Sequence, residues 1–288
     1  MVTYQRIFVG SRCNNRCPYC HEKNRSGYPE LSDIVAQLAQ DRGLDSVELY
    51  GGEPTLRTDF FNILDAARDQ GFKRIKIVTN ARALADINAA VKTIESGCHF
   101  FEIKVHHYQP GIHDDVTQVS GSLQETLEGI VNLRRITSLR QGPFKAFISL
   151  RIPISRQNYE DIGNVALTFI PYEIDRIILS FDDSRLKMSK ALPPIRDAIN
   201  ISILNRVWIL TQGIPLCAMM GLEHHVSEIY HGPDGDNKKA KSCKRCVYDK
   251  VCPGMSTRYL DHFGLSQLKP VRDSRHIEDM GRLCNEPG

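Results

Sequence analysis

The stretch Cys13-Asn-Asn-Arg-Cys17-Pro-Tyr-Cys20 places three thiols close together, directly after a short apolar segment that is predicted to be a strand. Three thiolates can hold three irons of a cubane 4Fe-4S cluster and leave the fourth iron open to a substrate or cofactor. The alternative is a structural zinc site, which needs four closed ligands and would require His21 as the fourth. The stretch therefore predicts a metal-cluster loop at the end of the first strand.

This spacing, with an aromatic residue just before the last thiol, resembles the cluster loop of the radical S-adenosylmethionine (radical SAM) superfamily. The resemblance implies that Cys13, Cys17 and Cys20 ligate a catalytic 4Fe-4S cluster and that Tyr19 belongs to the cofactor site. It also implies that S-adenosylmethionine (SAM) chelates the open iron, and that one electron splits SAM to give a 5′-deoxyadenosyl radical. In such enzymes the cofactor supplies the chemistry, while the protein orients the reactants and excludes water.

A second motif, Tyr50-Gly51-Gly52-Glu53-Pro54, directly follows the second predicted strand. Glycines let the backbone approach a ligand closely, and a carboxylate suits a cationic amino group. The motif resembles the Gly-Gly-Glu sequence of the same superfamily, which implies that Gly51, Gly52 and Glu53 contact the amino group of SAM. Such a sequence alone is often an ordinary turn, and its place after a strand supports the resemblance.

Polar residues also occur in or after the next three predicted strands. Asn80 follows the third strand and is predicted to contact SAM or its neighbours, or to be a turn residue. Ala81 stands where many members of the superfamily have glycine. His106 follows the fourth strand, where many members place a serine near SAM, and it is predicted to take that role, to face substrate or to be structural. Arg151 lies in the apolar fifth strand, and its guanidinium needs a carboxylate, either that of SAM or one on a neighbouring strand.

Residues 4 to about 205 alternate short apolar strands with amphipathic helices, the pattern of stacked βα units and a parallel sheet. The predicted strands are Gln5 to Val9, Ser46 to Tyr50, Arg74 to Thr79, Phe100 to Val105, Phe144 to Ile152 and Arg176 to Ser180. The clearest helices are predicted at Ser32 to Arg42, Thr58 to Gln70, Ser122 to Ile136 and Pro194 to Thr211. Six such units predict an α/β fold, a partial (β/α)6 barrel of the TIM type. Active sites in barrels lie at the C-terminal ends of the strands, where these motifs occur.

The composition changes after residue 212, so we expect a barrel domain over residues 1–212 and a small cysteine-rich extension over residues 213–288. Prolines and glycines are frequent in the extension and little periodicity survives. A segment with so little apolar pattern needs another source of stability, and metal ligation by its thiols is the available one.

The thiols of the extension follow the pattern Cys243-Lys-Arg-Cys246, five residues, then Cys252. This spacing resembles the SPASM and twitch extensions of radical SAM enzymes, which hold auxiliary 4Fe-4S clusters. Ser256 stands where the full pattern has a further cysteine, so a single auxiliary cluster is implied. Its implied ligands are Cys217, Cys243, Cys246 and Cys252. Two alternatives stay open, namely Cys284 in place of Cys217 and zinc in place of iron.

The composition of the 288-residue chain excludes several protein classes. Hydrophobic residues make up 41% and charged residues 25%, which excludes disordered, collagen-like and coiled-coil proteins. No apolar stretch approaches the roughly 20 residues of a membrane-spanning helix, and the N-terminus does not resemble a signal peptide. We therefore expect a cytoplasmic protein without a membrane partner. Nine cysteines, an odd and clustered set, favour metal ligation over disulfides, with Cys98 as a buried structural thiol.

These features predict a radical SAM enzyme that abstracts hydrogen from a peptide or small-molecule substrate and needs a reducing partner such as flavodoxin or ferredoxin. Only 12 residues precede Cys13, so no fused leader-peptide-binding domain is expected. One alternative is a pterin-forming cyclase, although the ending Asn-Glu-Pro-Gly lacks that family's Gly-Gly tail. An RNA-modifying enzyme is disfavoured because a net charge of +3 gives no electrostatic case for nucleic acid. An iron-sulfur carrier or redox scaffold would leave the Gly-Gly-Glu motif unexplained.

Overall fold

The computed structural model describes residues 3–18, 20, 27–40, 43–139, 145–181, 183–232 and 236–272. Seven strands of these residues form one sheet in chain order. They are β1 (Gln5–Phe8), β2 (Ser46–Tyr50), β3 (Arg74–Thr79), β4 (Cys98–Lys104), β5 (Phe147–Ile154), β6 (Arg176–Phe181) and β7 (Trp208–Gln212). The pairs from β1 to β5 are parallel. This is the α/β partial barrel that the sequence predicts.

Helices alternate with these strands, as the periodicity predicts. They are α1 (Leu31–Leu38), α2 (Phe60–Asp69), α3 (Ile87–Glu95), α4 (Pro110–Thr117), α5 (Ser122–Leu139), α6 (Ile162–Phe169), α7 (Met188–Leu204), α8 (Glu228–His231) and α9 (Thr257–Phe263). In α2 the buried residues Phe60, Ile63, Leu64 and Ala67 follow the spacing of one helix face. Among the described residues no helix is both long and apolar enough to span a lipid bilayer.

The sheet has seven strands, whereas the sequence predicts six. Strand β7 occupies the C-terminal end of the helix predicted at Pro194 to Thr211. Helix α7 ends at Leu204, and Arg206 then takes a left-handed backbone conformation with φ of 57°. That conformation is uncommon for a residue other than glycine, so the sequence does not indicate that the helix ends here. Aromatic and β-branched residues follow at Trp208 and Ile209, and such side chains favour a strand.

The contacts divide the chain into two compact units. The first unit comprises residues 2–152 and 168–176 and includes β1 to β4 with the N-terminal part of β5. Its core consists of strand residues that are fully buried, among them Val47, Leu49, Ile77 and Ile103. This unit carries the cluster loop and every strand-end residue that the sequence singles out as a SAM contact.

The second unit comprises residues 153–167 and 177–288. It includes α7, β7 and a small antiparallel pair, β8 (Asn237–Lys238) with β9 (Met255–Ser256). Tyr259 of α9 is buried within this unit, and its hydroxyl accepts a hydrogen bond from the Met188 N–H at 3.0 Å. Its ring also packs against Phe181, with 5.8 Å between the ring centroids. The second unit carries the four predicted auxiliary-cluster thiols.

Candidate active site

The three thiols of the cluster loop, residues 13–20, lie close together after the C-terminal end of β1. Cys13, Cys17 and Cys20 are each half-buried. Burial raises the pKa of Cys13, with a further contribution from Cys20. Burial raises the pKa of Cys17 to about 11, and the negative charges of the Cys20 and Cys13 thiolates contribute to the increase. Metal binding by such thiols must release their protons.

Two N–H groups are directed at the sulfur of Cys13. The backbone N–H of Asn15 donates to Sγ at 3.4 Å, and the side-chain Nδ2 of Asn80 donates at 3.8 Å. Hydrogen bonds to ligating sulfurs are among the factors that set the reduction potential of iron-sulfur clusters. The donor set around these thiols therefore fits a 4Fe-4S cluster held by Cys13, Cys17 and Cys20.

The Gly-Gly-Glu segment packs directly against the backbone that enters the cluster loop. The N–H of Gly52 donates to Gly10 O at 2.8 Å, and that of Glu53 donates to Arg12 O at 2.7 Å. A Cβ on Gly52 would lie 2.3 Å from Arg12 O, and a Cβ on Gly51 would lie 2.2 Å from Gly10 O. Both distances are too short for any side chain. The two glycines are therefore required by this packing, independently of any contact with SAM.

Glu53 is only 2% exposed, and its carboxylate accepts four hydrogen bonds from the protein. Oε1 accepts from the N–H of Thr55 at 3.2 Å and from the hydroxyls of Thr55 and Thr79, both at 2.7 Å. Oε2 accepts from the Asn80 N–H at 2.6 Å. Burial raises the pKa of Glu53, and these donors act in the opposite direction. A contact with the amino group of SAM stays a prediction, and Oε2 has the remaining acceptor capacity for it.

Asn80 joins the end of β3 to the cluster loop. Its Nδ2 donates to Asn14 Oδ1 at 2.7 Å as well as to Cys13. Its Oδ1 accepts from the Arg82 N–H at 3.0 Å, and its carbonyl oxygen accepts from the Thr126 hydroxyl at 2.9 Å. The structure thus places Asn80 where the sequence predicts a site residue, with its amide group directed at the loop. Its contact with SAM stays a prediction.

Arg82 is a site residue that the sequence does not reveal. Its Nη1 donates to Asn14 O and to Asn15 Oδ1, both at 2.8 Å, and its Nε pairs with Glu125 at 2.6 Å. The side chain is 11% exposed. One planar guanidinium therefore fixes two residues of the cluster loop to α5. The contacts join residues far apart in the chain, so no local motif marks them.

Replacing Arg82 with lysine should make the loaded protein lose iron to a chelator several-fold faster. A lysine cannot hold the two loop contacts and the Glu125 ion pair at once, and each lost hydrogen bond costs about 1 kcal/mol. The decay of the visible cluster absorption measures the rate. Arg68→Lys is the matched control, because Arg68 forms an exposed ion pair with Asp65 within α2. Equal rates in the two variants would contradict a role for Arg82 in holding the loop.

Lys104 is the last residue of β4, and His106 follows it two residues later. Burial, followed by the charges of His113 and Lys104, lowers the pKa of His106 to about 3, so its imidazole is neutral near pH 7. The charge of Lys104 also lowers the pKa of Cys13 and Cys17 against the larger effect of burial. Lys104 is a second residue that no sequence motif singles out. Lys104 precedes His106 by two residues, and residues two apart in an extended segment lie on the same face, so this spacing is the sequence signal for Lys104.

Arg151 of β5 forms an ion pair with Glu102 of β4, with 2.5 Å between Nε and Oε1. The sequence leaves two partners open for Arg151, and the one present in the structure is the carboxylate on the neighbouring strand. Glu102 also lies 3.4 Å from Lys76, which contacts Glu48, which in turn pairs with Arg6 at 2.8 Å. Burial raises the pKa of Glu102, but Arg151 and Lys76 hold it below its ordinary value. We call these five residues the ionic chain, and a SAM contact of Arg151 stays a prediction.

Four thiols of the second unit line one cavity. They are Cys217, Cys243, Cys246 and Cys252. Backbone N–H groups again donate to sulfur, from Gly254 to Cys252 at 3.4 Å and from Val271 to Cys246 at 3.3 Å. Within the described residues no three or more His, Cys, Asp or Glu side chains are placed to hold a single metal ion.

The predictions for Tyr19, Cys98 and Cys284 have different outcomes. Tyr19 and Cys284 lie outside the described residues. Cys98 is fully buried in β4, as predicted, and burial raises the pKa of its thiol. A thiol with that environment is a packing residue and takes no part in either cysteine set.

Comparison with known families gives a match over more than half of the chain. The sequence profile of the Radical SAM superfamily matches residues 7–167. This range includes the cluster loop, the Gly-Gly-Glu segment and the ends of β3 and β4. The match therefore covers the residues that form the candidate site in the first unit.

Individual relatives share the sequence at moderate identity. A GTP 3',8-cyclase of Limosilactobacillus fermentum is 28% identical over 293 aligned positions, which cover 97% of this chain and 75% of that protein. A probable GTP 3',8-cyclase of Sulfolobus acidocaldarius is 32% identical over 136 residues, 46% of this chain. In that second comparison the chain spans only 42% of the length of the relative.

Solved structures share the fold. The structure of anSMEcpe with bound AdoMet has a TM-score of 0.61 at 14% identity and covers 98% of this chain and 99% of that chain. Streptococcus suis SuiB bound to S-adenosylmethionine has a TM-score of 0.56 at 18% identity and covers 80% of this chain and 50% of that chain. At these identities the likeness shows a common architecture.

Proposed function

Because the chain belongs to the radical SAM superfamily of enzymes, we propose that it reductively cleaves SAM and abstracts hydrogen from a peptide or small-molecule substrate. One observation carries the proposal. Asn80 is hydrogen-bonded to the loop of three thiols, and the Gly-Gly-Glu segment is hydrogen-bonded to the backbone that leads directly into it. These contacts bring the cluster ligands and the predicted SAM-binding groups to one place in the first unit.

The chain's own residues hold and orient the reacting groups. A 4Fe-4S cluster bound here would supply the single electron for reductive cleavage of SAM and hence the radical chemistry of hydrogen abstraction. Cys13, Cys17 and Cys20 would hold three of its irons, and the N–H donors on Cys13 would stabilise negative charge on that sulfur. The charge of Lys104 lowers the pKa of Cys13 and Cys17 against the larger effect of burial, which favours the thiolate form that cluster ligation requires.

We further propose that residues 213–288 form a domain with one auxiliary 4Fe-4S cluster. The cavity lined by Cys217, Cys243, Cys246 and Cys252 supports this assignment, as do the N–H donors on two of those sulfurs. Four protein ligands would leave no open iron for SAM. The cluster would then exchange electrons during turnover or stabilise the fold of the extension. Zinc in the same thiols is the rival that metal analysis distinguishes.

GTP is a second candidate substrate. The GTP 3',8-cyclase of Limosilactobacillus fermentum aligns with 97% of this chain, so the shared sequence extends beyond the cluster loop into the second unit. Under this alternative the substrate is a nucleotide and the enzyme is a pterin-forming cyclase. A flavodoxin or a ferredoxin is the proposed reductant in either case.

Reduced and anaerobically reconstituted protein should release 5′-deoxyadenosine from SAM slowly, even without substrate. Chromatography of the quenched mixture measures the product, and the same protein without reductant is the control. If added GTP is consumed and accelerates release, the substrate is the nucleotide. Unchanged release with GTP supports another small molecule or a peptide. If the loaded, reduced protein releases no 5′-deoxyadenosine, the enzyme assignment fails and the iron-sulfur carrier alternative gains support.

A further inference from the structure

Positive charge is concentrated around the four thiols of the second unit. Residues 236–272 carry nine exposed Lys and Arg against three Asp, which leaves 28 basic and 31 acidic residues in the rest of the chain. The cations nearest to the thiols in sequence or in space form what we call the basic surface. They are Lys239, Lys241, Lys244, Arg245, Lys250 and Lys269. A chain that is close to neutral elsewhere thus has a strongly positive region at one site.

The basic surface belongs to the same backbone segments that hold the thiols. Lys244 and Arg245 occupy the two positions between Cys243 and Cys246, and both are exposed. The backbone of Lys269 is hydrogen-bonded to Cys217 and lowers its pKa against the larger effect of burial. Lys239 lines the thiol cavity and lies 3.5 Å from Asp249. The half-buried thiols therefore lie just beneath a positively charged surface.

We propose that the basic surface docks a small acidic electron-transfer protein, which exchanges one electron with the auxiliary cluster. The inference rests on the proposed function, because it requires a cluster in these four thiols. Complementary charge steers association and suits brief encounters over small interfaces, as between redox proteins. In the exchange a flavin hydroquinone anion of the partner gives one electron to the oxidised cluster and becomes the neutral semiquinone.

RNA binding and compensation of cluster charge account for the basic surface less well. Single-stranded RNA is bound by basic grooves in which exposed aromatic rings stack on bases, whereas Tyr248 and Tyr259 in this segment are each 1% exposed and Phe263 is half-buried. Charge compensation of a cluster with four thiolates requires only about two positive charges at this site. The nine exposed cations of residues 236–272 outnumber the three acidic residues by more than these two charges. An acidic protein surface is the partner that would pair with the whole excess of positive charge.

The test follows electron transfer from photoreduced flavodoxin to a Cys13/Cys17/Cys20→Ser protein, so that only the auxiliary cluster accepts electrons. Stopped-flow absorbance of the flavin gives the rate. We expect the rate to fall steeply with added salt. Lys241→Glu, Lys244→Glu and Arg245→Glu together should lower it at least about tenfold at low ionic strength, and the difference should disappear near 1 M salt. The matched control reverses three exposed cations elsewhere in the chain, Lys73, Arg135 and Lys145, and should change the rate less than about twofold.

Iron content and the reduction potential of the cluster separate the remaining outcomes. Both should be unchanged in the basic-surface variant if the residues act in docking. If that variant loses iron or shifts its potential enough to explain the slower transfer, the cations compensate cluster charge and the proposal is overturned. Salt-independent rates, or tighter binding of single-stranded RNA than of flavodoxin, also overturn it. A parent protein with zinc or no metal in the four thiols shows instead that the auxiliary-cluster assignment itself has failed.

Discussion

Replacing Cys13, Cys17 and Cys20 together with serine should reduce 5′-deoxyadenosine release from SAM to the level seen without reductant. Serine hydroxyls do not replace thiolates as ligands of a 4Fe-4S cluster, so the site that binds SAM would be lost as a whole. The four thiols of the second unit are untouched by this change. Iron per chain should therefore fall from about eight to about four atoms, with sulfide in proportion. Colorimetric iron and sulfide assays measure both numbers on the same sample.

Cys98→Ala is the control for this triple replacement, because Cys98 is a buried thiol outside both cysteine sets. It should keep both clusters and the full rate of SAM cleavage, with some loss of thermal stability. Two results would count against the assignment. One is a triple variant that retains all its iron, and the other is a parent protein with only about four irons and one zinc ion per chain.

Replacing Glu53 with alanine should lower the free energy of unfolding by about 3 kcal/mol or more, because four donors, two of them in buried hydrogen bonds, lose their acceptor. These donors belong to Thr55, Thr79 and Asn80, so the end of β3 would lose its connection to the Gly-Gly-Glu segment. Since Asn80 also donates to Asn14 and Cys13, the cluster loop should load less iron and bind SAM weakly. Urea unfolding and equilibrium binding of SAM provide the two measurements.

Asp65→Ala is the matched control for Glu53, since it removes an acidic residue outside the candidate site that is 48% exposed. Its expected cost is below about 1 kcal/mol. Glu53→Gln separates structure from binding, because the amide retains the shape and one of the two acceptor oxygens. A Gln variant that loads iron normally and still loses SAM affinity would support a direct contact of Glu53 with the cofactor. A stable Glu53→Ala variant with parental SAM affinity would rule out both roles.

Features that depend on local spacing could be predicted from the sequence. The cysteine loop, the Gly-Gly-Glu segment and Asn80 each follow an apolar strand, and the structure places all three in contact. The partial barrel follows from the alternation of strand and helix patterns. Four thiols in one cavity likewise match the ligand set implied by the cysteine pattern of the extension. In each case the information lies within a few neighbouring residues.

Features that depend on long-range contacts could not be predicted in this way. In the sequence Arg82 cannot be distinguished from other helical arginines, because its contacts with Asn14 and Asn15 form only in the folded chain. The partner of Arg151 stayed open between two carboxylates, because a strand pattern does not fix which side chains meet across strands. The sequence does not predict strand β7, because the chain turns at Arg206 without glycine or proline, the residues that normally mark such a turn.

The ionic chain limits how this barrel can be altered by directed evolution. Its inner members, Glu48, Lys76 and Glu102, are each less than 10% exposed and alternate in sign. Loss of one member leaves a buried neighbour without its counter-ion, at a cost of about 3–5 kcal/mol, whereas an apolar set of similar volume is often tolerated. A library that randomises these codons one at a time would therefore contain mostly unfolded variants. Combined randomisation of adjacent members should retain more folded variants, because it can replace whole ion pairs by apolar sets of similar volume.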